Sequence, residues 1–484
     1  MELDFSILPK AEAAPDYRPS FNVGALLDVP TGQIVRGKDG EPILLGGCGQ
    51  FVGVVGVPNS FKTTLAEYMQ LTIGARFRKM FMDKHDTEIS AQPSRTMHLA
   101  SQIHDYRAHY PDGEDLTANS GTGRWMLTDQ ITYWGDEWFT TKREFLAAKV
   151  KAGNKLRLET PYTDPKGQTY KVFYPTSTLI DSLTKFRTSA SADMDASNEL
   201  GASGANTIYM KDGNAKARMV TSIPRLAGEA NHIFIMTAHV GKSIGMDPNA
   251  PPPRKLSTLK NGDTVKGVSD DFLFLTNQCW QATNVSWLIN DTTKAPEYPR
   301  DTTDNVKGDT DLALVTFCLL RNKTGPSGMY LRLVVSQEDG VQPALTEFNY
   351  IKDNGRWGLG TNVQNYQCDL LPDVKLSRTA VRGKLERDAK LRRAINICSE
   401  ILQMKLLWDK VPQELFCTPL ELYNDLKAKG YDWDILLNTR GWYTYDGDHP
   451  QPYLCSYGLL EMRAGLYHPK WYPVKKEDLK PITV

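Results

Sequence analysis

Several classes of protein are excluded by what this sequence lacks. No run of about 18 apolar residues, the length a membrane helix needs, occurs in its 484 residues, so no membrane partner is expected. No C-x-x-C pair occurs either. The seven cysteines are Cys48, Cys279, Cys318, Cys368, Cys398, Cys417 and Cys455, and the nearest two, Cys398 and Cys417, are 19 residues apart. That spacing excludes paired-thiol metal and redox motifs. An odd, scattered set suits a reducing compartment, and a cytoplasmic location is expected. There is no excess of charge of one sign: Lys plus Arg is 57 and Asp plus Glu is 57. Bulk attraction to nucleic acid or to an anionic membrane is therefore absent, and any such binding must come from local patches. The opening "MELDFSILPKAEAAPDYRPSF" has no basic region followed by an apolar stretch and does not read as a signal peptide. Internal repeats and low-complexity tracts are also missing.

What remains is ordinary globular composition, 40% hydrophobic and 24% charged, in a chain long enough for one to three domains. Residues 1–22, with Pro9, Pro15 and Pro19, read as an extended arm that would contact a neighbouring subunit. Residues 23–50 read as a small strand-rich lead-in. From 51 the pattern becomes strand, loop, helix: "FVGVVG" is a strand, "TTLAEYMQLTIGARF" a helix, and "KMFMD", "TSTLIDSL" and "HIFIMTAH" further strands. After 310, "DLALVTFCLL", "GMYLRLVVS" and "ALTEFNYI" read as a β-meander closing the sheet. Residues 376–405 read as helical, and the aromatic-rich end as the core of an accessory domain. The expected fold class is α/β: a mostly parallel central sheet flanked by helices spanning 23–365, closed by a β-meander, with a small, mainly helical domain over 366–484. Residues 110–175 and 280–310 read as inserts.

The stretch "GVPNSFKTT", Gly56, Val57, Pro58, Asn59, Ser60, Phe61, Lys62, Thr63 and Thr64, lies between the first strand and the first helix. A phosphate group is held by inward-facing backbone N–H groups with a helix start behind them. Lys62 stands where a lysine reaches terminal phosphates, and Thr63 where a hydroxyl joins a magnesium shell. The pattern departs from G-x-x-x-x-G-K-[ST] at Phe61, where a glycine is usual. The departure requires the loop to bow so that the ring points away from the ligand.

With "NSFKTT" the chain resembles the RecA recombinase family, in particular its phage UvsX type, whose loop also reads Ser-Phe-Lys. The resemblance implies an ATP- and Mg²⁺-dependent, DNA-stimulated ATPase with a RecA-like core over roughly residues 30–355. It implies further roles, position by position. In "KMFMDKHDTEIS", Glu88 would orient the attacking water, with Asp86 and Asp83 as lesser options. In "STLIDSLTKF", Asp181 would hold the metal through water. In "HIFIMTAHVGKSIGMD", His239 would sense the terminal phosphate. In "LLRNKTGPSGMY", Arg321 and Lys323 would reach the ATP of a neighbouring subunit, Arg321 standing where the family carries lysine.

Two stretches would then face single- and double-stranded DNA, 186–214 and 241–270. They carry Arg187 in the first and Lys242, Arg254, Lys255, Lys260 and Lys266 in the second, a modest positive excess suited to phosphate contacts. The basic run "SRTAVRGKLERDAKLRRA" reads as a solvated face rather than a DNA contact. The function these readings imply is an ATP-dependent recombinase that self-assembles on single-stranded DNA and pairs it with a homologous duplex. A hexameric RecA-fold replicative helicase and a nucleotide-gated assembly protein are the alternatives.

Overall fold

The computed structural model describes residues 19–109, 116, 123–163, 168–197, 205–242, 258–260, 262–301, 310–360, 365–408, 411–447, 449–475, 477 and 479. A lead-in of helix α1 (Asp28–Thr31) and hairpin β1 (Gln33–Arg36) and β2 (Pro42–Leu45) precedes β3 (Phe51–Gly56) and α2 (Lys62–Arg76). Then come β4 (Phe81–Asp86), α3 (Pro93–Ser101), α4 (His104–His109), β5 (Trp125–Asp129) and α5 (Gly135–Lys151). The hairpin β6 (Arg157–Thr163) and β7 (Thr169–Phe173) leads to β8 (Thr176–Asp181), α6 (Ser189–Ser197), α7 (Ala205–Ala230) and β9 (His232–Lys242). Next are β10 (Asp263–Val265), α8 (Asp270–Leu275), β11 (Gln278–Trp287), β12 (Leu312–Asn322), β13 (Tyr330–Ser336), β14 (Gly340–Val341) and α9 (Pro343–Asp353).

The central sheet runs β14–β13–β12–β11–β3–β9–β8–β4–β5. From β11 to β5 every pairing is parallel, and β12, β13 and β14 close the edge antiparallel. β3 along its length, and β9 as far as Ala238, are buried and largely apolar, as a sheet covered on both faces requires. One face packs on α2 through Leu65, Met69 and Ile73 with Val52 and Val54. The other packs on α5 and α7 through Leu146, Val220 and Ile223 with Phe51 and Val55. The expected α/β class, with its parallel sheet, flanking helices, antiparallel edge and mainly helical C-terminal region, is the observed one.

Three expectations change. "ALTEFNYI" is not a meander strand but α9, begun by Pro343 at its first turn. Its buried Leu345, Phe348 and Ile351 are spaced three apart, a helical period. Two sheet strands, β5 and β11, lie in stretches read as inserts. The helix expected over 376–405 is broken in two: β17 (Leu371–Ser377) and α10 (Val381–Arg387) come first, then α11 (Ala389–Leu407). The break is at Asp388, whose carboxylate caps α11 by accepting from Leu391 N–H at 3.0 Å. β17 closes a small sheet with β15 (Leu359–Gly360) and β16 (Asn365–Cys368).

C-terminal helices α12 (Pro419–Ala428), α13 (Trp433–Leu437) and α14 (Ser456–Ala464) bury Leu422, Leu436 and Leu459 in one cluster with α11 and with Leu345 and Phe348 of α9. All seven cysteines are free and buried. No helix among the described residues is long and apolar enough to cross a membrane.

Candidate nucleotide site

The site begins where β3 ends. A Cβ on Gly56 would stand 2.4 Å from Ser60 Oγ and 3.1 Å from Ala282 Cβ, so the close turn out of the strand requires glycine. Ser60 is buried and its hydroxyl donates to Val57 O at 2.6 Å, closing the loop on itself. Asn59 and Phe61 both have left-handed backbones, with φ of 58° and 61°. Phe61 therefore holds the conformation that a glycine adopts without strain. Its partly buried ring packs on the apolar cluster of α2 and β3, and that packing offsets the strain. Lys62 opens α2 and is only 7% exposed. The first turn of a helix leaves backbone N–H groups without intrahelical partners, and here they lie directly behind the loop.

Four further side chains converge at the carboxyl ends of the parallel strands, the edge where α/β sheets take ligands. Asp181 ends β8. Its Oδ1 accepts from Thr63 Oγ1 at 3.2 Å and from Thr237 Oγ1 at 2.6 Å, and its Oδ2 lies 3.3 Å from the Lys84 ammonium. Glu88 follows β4. Its Oε1 accepts from Ser182 Oγ at 2.8 Å and lies 2.9 Å from His239 Nε2. Burial pushes the Glu88 pKa up, but the bonds to His239 and Ser182, with the nearby charges of His239 and Lys62, outweigh it. The net shift is downward and Glu88 stays ionised.

The other two acids near Glu88 are committed elsewhere. Asp83 is fully buried on the α5 side, bonded to Lys142 at 2.5 Å and Thr178 at 2.8 Å. Asp86 accepts the N–H groups of Glu88, Ser90 and Ala91 and so folds the turn that presents Glu88.

Lys84, Ser182 and Thr237 were not singled out from sequence. Ser182 and Thr237 sit beside motif residues and their hydroxyls gain meaning only from the sheet register. Lys84 carries no sequence signal: it is buried in mid-strand, bridging Glu67 at 2.9 Å and Asp181.

Arg321 and Lys323 lie apart from this cluster. Asn322 pairs with Gln278, which pairs with Val52 at the start of β3, whereas the loop leaves from Gly56. Four residues of strand separate the two levels, about 13 Å. Lys323 donates to Leu275 O at 2.8 Å, and Arg321 Nε is buried without a hydrogen-bond partner among the described residues. Of the basic residues expected to meet DNA, Arg187 is paired with Asp195, and Lys242 with Asp263. Lys260 and Lys266 are exposed, and Arg254 and Lys255 lie outside the described residues. The basic run at 377–394 is bonded within the chain. Arg382 pairs with Asp311 at 2.7 Å, Arg392 donates to Leu385 O at 2.8 Å, and Arg393 is buried.

Among the described residues, one group of three side chains has metal-ligand spacing, His98, Glu338 and Asp339. The Arg300 guanidinium lies 2.8 Å from both of its carboxylates and already supplies the compensating charge.

No family model matches the chain, and no curated protein matches it by sequence. Among solved structures the chain is similar to one described as "Crystal structure of the RadB recombinase". The identity is 14% and the TM-score 0.31, over 61% of this chain and 92% of that one.

Proposed function

We propose that this chain is an ATP-dependent DNA recombinase with a RecA-like core, which binds Mg·ATP at residues 56–64 and assembles on single-stranded DNA to pair it with a homologous duplex. The observation that carries the reading is the convergence of Glu88, His239, Ser182 and Asp181 beside a strand–loop–helix phosphate cradle with a buried Lys62. In this reading the amides of the loop and the Lys62 ammonium bind the phosphates. Thr63 and Asp181 would hold magnesium; their hard oxygen donors, 3.2 Å apart, suit that ion. The bound ion would neutralise phosphate charge. Glu88, kept ionised, accepts a proton from the attacking water. His239 shares a carboxylate oxygen with Ser182 and is placed to feel the terminal phosphate through Glu88.

Arg321 and Lys323, about 13 Å of strand away, would serve the site of another copy, so the active form is a self-assembly with its ATP enclosed between subunits. The exposed Lys260 and Lys266 supply phosphate contacts to DNA.

The test is purified protein with an ATP analogue and single-stranded DNA, examined by negative-stain microscopy and by a strand-pairing assay. Extended filaments and homologous pairing are expected. Closed rings that unwind a forked duplex would replace the reading with a helicase, and assembly without DNA-stimulated turnover with a nucleotide-gated scaffold.

A further inference from the structure

His239 is tied by its backbone to a second cluster that the nucleotide chemistry does not use. The N–H of His239 donates to Thr184 Oγ1 at 2.9 Å, and the same hydroxyl donates onward to Lys266 O at 2.9 Å. The Lys266 N–H returns to His239 O at 2.8 Å. Thr184 follows β8, and Lys266 and Gly267 follow β10, so the exit of one strand and the return to another close on His239. Gly267 approaches so tightly that a Cβ there would stand 3.0 Å from Thr184 O.

One turn of α7 fastens both ends. Asp212 accepts from Thr188 N–H at 3.1 Å and from Thr188 Oγ1 at 2.9 Å. One turn later, Lys216 donates to Thr184 O at 3.4 Å and to Gly267 O at 3.2 Å. Lys216 is 6% exposed and bonds only neutral carbonyls there. Burial pushes its pKa down, against the pull of Asp212, to about 8. An ammonium whose hydrogen bonds all go to carbonyls is costly to bury even with the charge of Asp212 acting on it, and a hydrophobic strut would fill the same space more cheaply.

We propose that Lys216 is a positioning residue that makes the stretches leaving β8 and returning at Gly267 move as one with His239, so that nucleotide state and polymer binding are coupled through it. The inference rests on the reading above, in which those stretches face DNA. Lys216 touches neither the loop at 56–64 nor Glu88. Its loss should therefore remove coupling without removing either binding event.

The experiment measures affinity for a fluorescent single-stranded oligonucleotide with and without an ATP analogue, and affinity for the analogue with and without the oligonucleotide. The two ratios must agree, because coupling is reciprocal. In the wild type a ratio of about tenfold is expected, within the usual range of such couplings. Lys216→Met should bring both ratios near one while each separate affinity holds. Lys216→Arg, which can still donate to both carbonyls, should restore them, and Arg225→Met, an exposed residue of α7 outside both stretches, should change nothing. Retention of the full ratio in Lys216→Met would overturn the inference. So would equal loss of both separate affinities with a lowered melting temperature, rescued by Lys216→Arg only in stability, since that is the behaviour of a strut. A wild type that binds the analogue and the oligonucleotide with no ratio between them would also overturn it, leaving the nucleotide site standing. A wild type that binds no nucleotide would remove the underlying reading instead.

Discussion

The Nε2 of His239, which pairs in β9 with Gly56 at the end of β3, lies 2.9 Å from Oε1 of Glu88, just beyond β4. Two strands that are not neighbours in the sheet thus meet over the end of β8, whose next residue, Ser182, bonds the same carboxylate oxygen.

This contact governs how Glu88 titrates. Its pKa is lowered although burial alone would raise it, and the His239 bond is the leading cause of the lowering. Glu88 is therefore ionised throughout the neutral range and loses that charge only as pH falls through its depressed value. His239→Ala should move the acid limb of the pH–rate profile for ATP turnover to higher pH. Glu88→Gln should keep nucleotide binding and lose turnover by about 10²–10⁴-fold, the usual worth of a general base. A Glu88→Gln enzyme with normal turnover would remove Glu88 from its role.

Phe61 offers a test of the unusual loop. A non-glycine residue in the left-handed region carries about 1–2 kcal/mol of strain, here offset by packing of the ring on the core. Phe61→Gly should keep nucleotide affinity, because it relieves strain while losing contact. Phe61→Val should lose stability and affinity together, because a β-branched residue meets the same backbone without the ring's packing. Calorimetric melting with and without ATP analogue separates the two variants.

Lys84 is a third case. Its ammonium bridges Glu67 and Asp181 with all three side chains buried. Burial pulls its pKa down, but the two carboxylates more than reverse this and keep it charged. Removing one member of such a set leaves uncompensated buried charge, typically costing about 3–5 kcal/mol. Lys84→Met should unfold at markedly lower denaturant, and Lys84→Met with Glu67→Gln should recover part of the loss.

Stability should also fall with rising pH through a pair of acids between α9 and α11. Glu347 and Glu400 are buried and share the Asn396 amide, each at 3.1 Å. Burial, reinforced by the Glu400 charge, pushes Glu347 up to about 8. The folded chain thus holds a proton that the unfolded chain, with an ordinary glutamate, releases near 4.5. The contribution of Glu347 to stability is complete below that value, falls through the interval, and is lost as pH rises through about 8. Melting midpoints between pH 5 and 9 should show the decline, and Glu347→Gln should flatten it.

The strands most easily read from sequence were those whose burial is apolar, "FVGVVG" and "HIFIMTAH". β4 shows why the reading stopped short. After Met82 it continues as Asp83, Lys84, His85 and Asp86, all buried. Hydropathy reads that run as a loop, yet Asp83 and His85 meet Lys142 and Trp138 on one face while Lys84 meets Glu67 on the other. Charge pairs made across elements leave no local pattern. β5 is a five-residue edge strand with Met126 exposed, and β11 turns polar and exposed after Ala282, so neither shows a buried-strand signature. In α9, "ALTEFNYI" is rich in residues that favour strands, whereas Pro343 and the three-residue spacing of its buried side chains set the helix. Within the site, Gly56, Lys62 and Thr63 are legible by spacing, and Asp181 through the resemblance that "STLIDSLTKF" carries. The resemblance puts Glu88 ahead of Asp86 and Asp83, but the bonds that occupy those two, Asp83 with Lys142 and Thr178 and Asp86 with the turn amides, leave no trace in the sequence.

The measurement closest to the central claim is direct ATP binding by the wild type and by Lys62→Ala, followed by fluorescence of a labelled nucleotide with Mg²⁺ present. The account predicts saturable binding by the wild type and its loss, with turnover, in a Lys62→Ala chain that melts as the wild type does. Equal binding by the two would mean that no phosphate rests on the amides between Gly56 and Thr64.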